Sequence, residues 1–265
     1  MQNILYASDL TSRSDRAFER ACRLALDHMA HLHVIYVGAS AAEDMEARKT
    51  ELDGLIAGQF AELTPDETKR PNWTAYTHIG DPVQTIVTKV TALDPDLVVL
   101  GQSEDLTAAT VFQGTSTDQI VSKIAHPVLV VRSPVHSSYA KTIVAFDHSL
   151  NARRAFEYAL RIAPEAEVTV TKVIGDISEA ARANASDMVH GHLAEIMRKM
   201  SYAVPRPNVD LPSGRINDVL LAAIKTAGPD LVAFGRTQKT GLEAFVLGST
   251  ASFLLGHVTR DTLIL

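Results

Sequence analysis

Two stretches of this 265-residue chain share one spacing. Each sets a glycine, a long loop, and a second glycine followed at once by hydroxyl side chains: Gly101 to Gly114-Thr115-Ser116, and Gly235 to Gly248-Ser249-Thr250. Both closing triplets stand just before a helix-spaced apolar segment. A helix start leaves N–H groups without intrahelical partners at the positive end of the helix dipole, about half a charge. Phosphate is the natural ligand for such a terminus. An ordinary N-cap is the other reading of Gly-Ser-Thr in that place. The paired glycine at the same spacing in both halves favours a ligand.

The elements that must position these groups repeat. Asp94-Pro-Asp-Leu-Val-Val-Leu-Gly101 recurs as Gly228-Pro-Asp-Leu-Val-Ala-Phe-Gly235, an offset of 134 that also carries Gly80 onto Gly214 and Gly114 onto Gly248. Near the start of each half the offset is 138, laying Asn3 to Asp9 on Lys141 to Asp147. Two domains follow, residues 1–135 and 139–265, joined through the Pro and Ser segment Ser133 to Ser138. In the first, short β-branched runs at Ile4 to Ala7, His33 to Val37, Asn72 to Ile79, Leu97 to Leu100 and Val128 to Val131 read as buried strands. Between them the spacing predicts helices. One runs through Ala17 to Ala25 with Ser12 and Asp15 at its start; others cover Ala41 to Leu63, Val83 to Leu93 after Pro82, and Thr115 to Ala125.

That alternation requires parallel strands and right-handed crossovers. The fold class is therefore α/β, two tandem doubly wound domains of five parallel strands each. In the second copy Pro205 and Pro207 weaken the third strand and assign it to an edge. Ligands of such sheets bind beyond the carboxyl ends of the strands. The positions there are Asp9, Val37 and Gly101 in the first half and Asp147, Val173 and Gly235 in the second.

Composition excludes several classes. With 46% hydrophobic and 21% charged residues the chain is neither disordered nor fibrous. A formal net charge of −6 gives no basic field for nucleic acid. No apolar stretch approaches the roughly 20 residues of a membrane span, and MQNILYASDL lacks the basic start of a secretion signal. The lone Cys22, at an apolar position of a helix, reads as a packed thiol in a reducing cytoplasm.

From Gly235 to Leu255 the chain resembles the universal stress protein family, whose nucleotide loop reads G-x2-G-x9-G-[S/T]. Gly235, Gly248 and Ser249 match, with Gln238 at the second glycine position; the first half matches at Gly101, Gly114 and Thr115, with Glu104 there. The resemblance covers nearly the whole chain. It implies a Rossmann-like fold of the adenine-nucleotide alpha hydrolase type and a bound ATP, AMP or related adenine nucleotide, with Mg²⁺ accompanying ATP. Asp147 would face the ribose or adenine, the backbone at Val173 the adenine edge, and Gly235, Gly248, Ser249 and Thr250 the phosphates. The matching first-half positions are Asp9, Val37, Gly101, Gly114, Thr115 and Ser116.

Charge favours the second half. Glu104 and Asp105 stand in the first loop, whereas Arg236 and Lys239 outweigh Glu243 in the second. The resemblance also implies a cytoplasmic stress-response protein acting as a nucleotide-dependent sensor or interaction module. Its halves would pair as an intrachain pseudo-dimer through Val128 to Val131 and Thr262 to Leu265, with homodimerisation through another surface. A scaffold that binds no nucleotide, motivated by the missing second glycine, and a slow ATPase remain the alternatives. No catalytic residue stands out: Ser249 and Ser252 have no His and acid at recognisable spacing. His190-Gly191-His192 reads as two polar residues at a loop or helix start and not as a metal site.

Overall fold

Ile4, Leu5 and Tyr6 have no exposed surface. Strand β1 (Asn3–Ser8) is therefore covered on both faces, as consecutive apolar residues in a parallel sheet require. The computed structural model describes residues 1–10, 15–40, 42–102, 116–135, 137–175, 178–236 and 247–265. It divides into unit 1, Met1–His136, and unit 2, Ser137–Leu265.

Unit 1 continues with α1 (Asp15–His28), β2 (His31–Gly38), α2 (Met45–Leu63), β3 (Trp73–Ile79), α3 (Pro82–Leu93), β4 (Leu97–Gly101), α4 (Ser116–Lys123) and β5 (Val128–Val131). Its strands lie in the order β3-β2-β1-β4-β5, all parallel. Helices α1 and α2 pack together, as do α3 and α4. The order reverses between β1 and β4, which opens a crevice at the carboxyl ends of those strands.

Unit 2 repeats the plan with β6 (Lys141–Ala145), α5 (Leu150–Ile162), β7 (Glu167–Thr171), α6 (Glu179–Met197), β8 (Asn208–Asp210), α7 (Ile216–Ala227), β9 (Leu231–Phe234), α8 (Ser249–His257) and β10 (Asp261–Ile264). Its order is β10-β9-β6-β7-β8, again parallel. The three-residue β8 is outermost, where Pro205 and Pro207 place it.

The structure gives physical reasons for the repeat. Asp96 accepts hydrogen bonds from the backbone of Gln2 and Asn3 at 2.6 and 3.0 Å, and Asp230 does the same for Ala140 and Lys141 at 2.9 Å each. The aspartate of each Pro-Asp-Leu motif thus anchors the start of the neighbouring central strand. Gly80 and Gly214 hold φ of +145° and +136° in the turns before α3 and α7, a region open to glycine.

Two expectations change. Helix α2 begins at Met45 and not at Ala41, because the carboxylate of Asp44 caps the amides of Glu46 and Ala47. His190, Gly191 and His192 lie well inside α6, a 19-residue helix capped by Ser178, and not at a helix start. Ser12, the expected cap of α1, lies outside the described residues. Cys22 is buried and free, and burial, with the nearby charge of Glu19, pushes its thiol far above the usual range. Among the described residues no helix is long and apolar enough to cross a membrane.

Candidate functional site

In unit 2 the chain leaves β6 through Phe146, whose N–H donates to the Thr171 carbonyl at 2.9 Å and extends the β6–β7 pairing past the strand end. A sharp turn follows, with His148 at φ +67°. Asp147 Oδ1 accepts from the Ser149 amide at 3.0 Å, and Ser149 Oγ caps α5 by accepting from Ala152 N at 3.1 Å. On the other side, β9 runs into Gly235. A Cβ there would lie 2.7 Å from the backbone of both Ala152 and Asn151, so glycine is required by the close approach of α5. Asn151 Nδ2 then donates to the Arg236 carbonyl at 2.8 Å, and Arg236 N to the Leu265 carbonyl at 2.7 Å.

Helix α8 starts at Ser249 with Gly248 as cap, so no cap side chain occupies its first-turn amides. Between this helix start and the strand ends lies a cavity of about 200 Å³. Asp147, Val173, Gly235, Gly248, Ser249 and Thr250 all line it. So do residues that sequence reasoning passed over: Thr171 and Lys172 at the end of β7, Phe146 and Phe234, and Leu220 from α7. Among the described residues the wall pairs an apolar side with one cation, Lys172, and one anion, Asp147. Arg236 does not line the cavity. It is buried, and burial with the repulsion of Arg154 pulls its guanidinium down to about 10, still charged at neutral pH. Its charge is therefore not that of an exposed side chain, and among the described residues Lys172 is the cation on the wall. Gln238, Lys239, Gly241 and Glu243 lie outside the described residues.

A hydrogen-bonded chain flanks Asp147. Arg153 Nη2 donates to His192 Nε2 at 2.8 Å, which leaves the His192 proton on Nδ1, 3.0 Å from His148 Nδ1. Arg153 Nε also donates to the His148 carbonyl at 3.2 Å. Burial first, then the charges of Lys172, His192 and Arg153, lower the His148 pKa, with Asp147 opposing. Among the described residues no group of three or more His, Cys, Asp or Glu could hold a metal ion.

Unit 1 presents a different strand end. Asp9 is exposed after β1, Val37 lies within β2, Gly101 closes β4 and Ser116 opens α4. Gly114, Thr115, Glu104 and Asp105 are outside the described residues. The Gly101 carbonyl accepts the Thr117 hydroxyl at 3.0 Å. Tyr36 Oη donates to Glu43 at 2.6 Å, and a Cβ on Gly38 would meet that carboxylate at 2.9 Å.

The model of the universal stress protein family matches residues 1–132 and again 138–265. The chain belongs to the universal stress protein family. A universal stress protein from Archaeoglobus fulgidus DSM 4304 superposes with a TM-score of 0.68 at 17% identity, covering 99% of this chain and 97% of that one. A protein assigned to the same family from Pseudomonas aeruginosa UCBPP-PA14 gives 0.76 at 18%, covering 100% and 93%. At these identities the likeness is one of fold: two tandem universal stress domains. No curated protein matches the chain.

Proposed function

We propose that unit 2 of this universal stress protein binds an adenine nucleotide, and that binding, rather than turnover, is its role as a sensor or interaction module. The observation that carries the reading is the cavity itself. It joins a helix start with no cap side chain to an apolar wall at the crossover point of a parallel sheet. The chemistry of its donors fits the parts of a nucleotide. Amides at Ser249 and Thr250 suit phosphate oxygens, Lys172 adds a cation, and Leu220, Phe234 and Val173 offer a face for the base.

At about 200 Å³ the described walls are smaller than the roughly 300–1,000 Å³ of whole small-molecule sites. They suit one moiety of the ligand. Asp147, the carboxylate on the wall, already accepts from Ser149 N, which suits a positioning role toward the ribose or an accompanying Mg²⁺. In unit 1 the Tyr36–Glu43 pair sets a carboxylate beside the equivalent strand end and disfavours phosphate there.

The test is calorimetric titration of the stripped full chain with ATP and AMP, alongside Gly248→Val, which adds a branched side chain at the cavity wall. A saturable heat in the parent chain that the variant loses is expected. No heat with either nucleotide would refute the reading.

A further inference from the structure

Thr171 is the residue of β7 that lines the cavity. It is 1% exposed, yet its hydroxyl has no hydrogen-bond partner among the described residues. Such an atom is costly, and most buried polar atoms in folded proteins are bonded. Strand register identifies the matching residue of unit 1. Ala145 pairs with Thr171 as Ala7 pairs with Ile35, and Ile35 is fully buried and apolar. The fold therefore does not need a hydroxyl at this position. Around Thr171 the same cavity is walled by Ala145 from the neighbouring strand β6, Phe234 from β9 on the far side of β6, and Leu220 from α7. A planar base, apolar on its faces and polar on its rim, is the part of a nucleotide that suits one hydroxyl in such surroundings.

We propose that Thr171 Oγ1 hydrogen-bonds the base of the nucleotide held in unit 2 and is a specificity-determining residue of that site. A hydroxyl both donates and accepts, which matches an adenine edge carrying a ring nitrogen beside the 6-amino group. The inference rests on the nucleotide reading given above.

The test uses the full chain and three sequences: the parent, Thr171→Val, which keeps the shape and removes the hydroxyl, and Thr171→Ser, which keeps the hydroxyl. Each is titrated with AMP and melted without ligand. Thr171→Val is expected to weaken AMP about 3–10-fold, the net value of one hydrogen bond, with Thr171→Ser within about twofold of the parent. Without nucleotide, Thr171→Val is expected to melt about 2–4 °C higher, because the unbonded buried atom is gone. A purely structural hydroxyl would not move the two readouts in opposite directions. Unchanged AMP affinity in Thr171→Val, or a lower melting point of its ligand-free form, overturns the role of Thr171 and leaves the nucleotide reading standing. A parent chain that binds neither AMP nor ATP overturns both.

Discussion

The strand ends of the two units share one backbone plan and differ in what fills them. Thr171 ends β7 and Lys172 follows it, and both line a cavity. At the same register within β2 stand Ile35, buried and apolar, and Tyr36, whose hydroxyl is tied to Glu43. The turns that follow β1 and β6 even share a left-handed residue, Leu10 at φ +55° and His148 at +67°. One topology therefore carries a wall suited to an anionic ligand in one copy and a carboxylate beside the strand end in the other. Fold sets where a site can be, and a few side chains decide whether there is one.

The largest break in this contrast comes from Gly235→Ala. Its new Cβ would meet helix backbone at 2.7 Å, and overpacking of this kind costs about 1–3 kcal/mol. Hydrogen exchange should show unit 2 destabilised with unit 1 unchanged, and nucleotide binding lost. Exchanging the walls comes next. Thr171→Ile with Lys172→Tyr gives unit 2 the residues of unit 1 and should lower AMP affinity at least tenfold by calorimetry. The reverse exchange, Ile35→Thr with Tyr36→Lys, should destabilise unit 1 by about 1–3 kcal/mol through a buried hydroxyl.

Acid sharpens the comparison from another side. His33, beside Tyr76 and stacked on His31 at 4.3 Å, has its pKa lowered from the usual 6.5 to about 4 by burial, then by the charges of His31 and Lys89. Its neutral form is favoured in the fold. The stabilisation is complete above 6.5 and is lost as pH falls from there toward 4. Unit 2 carries Thr169 at the matching register. The melting midpoint of unit 1 should fall across that window, and His33→Gln should flatten the fall. His148 shifts in the same direction in unit 2, so the variant supplies the control. Smallest is Lys172→Met, which should weaken ATP about 2–5-fold at low salt and less at high salt, as expected for a partly exposed charge.

Much of this was legible in the chain itself. Repeated apolar runs and the offset motifs specify ten strands in two doubly wound domains. The rule that ligands bind beyond strand ends leads to Asp147, Val173 and Gly235 in unit 2, and the glycine spacing leads to Gly248, Ser249 and Thr250; all of these line one cavity. Thr171 and Lys172 escaped because their place depends on the pairing of β6 with β7, a contact between segments some 26 residues apart. Counting charges along a loop treated Arg236 as available, and the burial that lowers its pKa is a tertiary fact. His190-Gly191-His192 reads in sequence as a loop or helix start, but the Ser178 cap and the surrounding helix formers carry α6 through it. His192 then meets Arg153 and His148, neighbours that no local pattern announces.

The central claim is that the second copy holds the nucleotide and the first does not. Photolabelling the full chain with 8-azido-ATP, followed by mass mapping of the labelled peptides, tests it most directly. The account expects label on peptides of unit 2 that border the cavity, around Ala145 to Val173 or Gly248 to Ala251, and competition by unlabelled ATP. Competed label confined to peptides of residues 1–132 would contradict it.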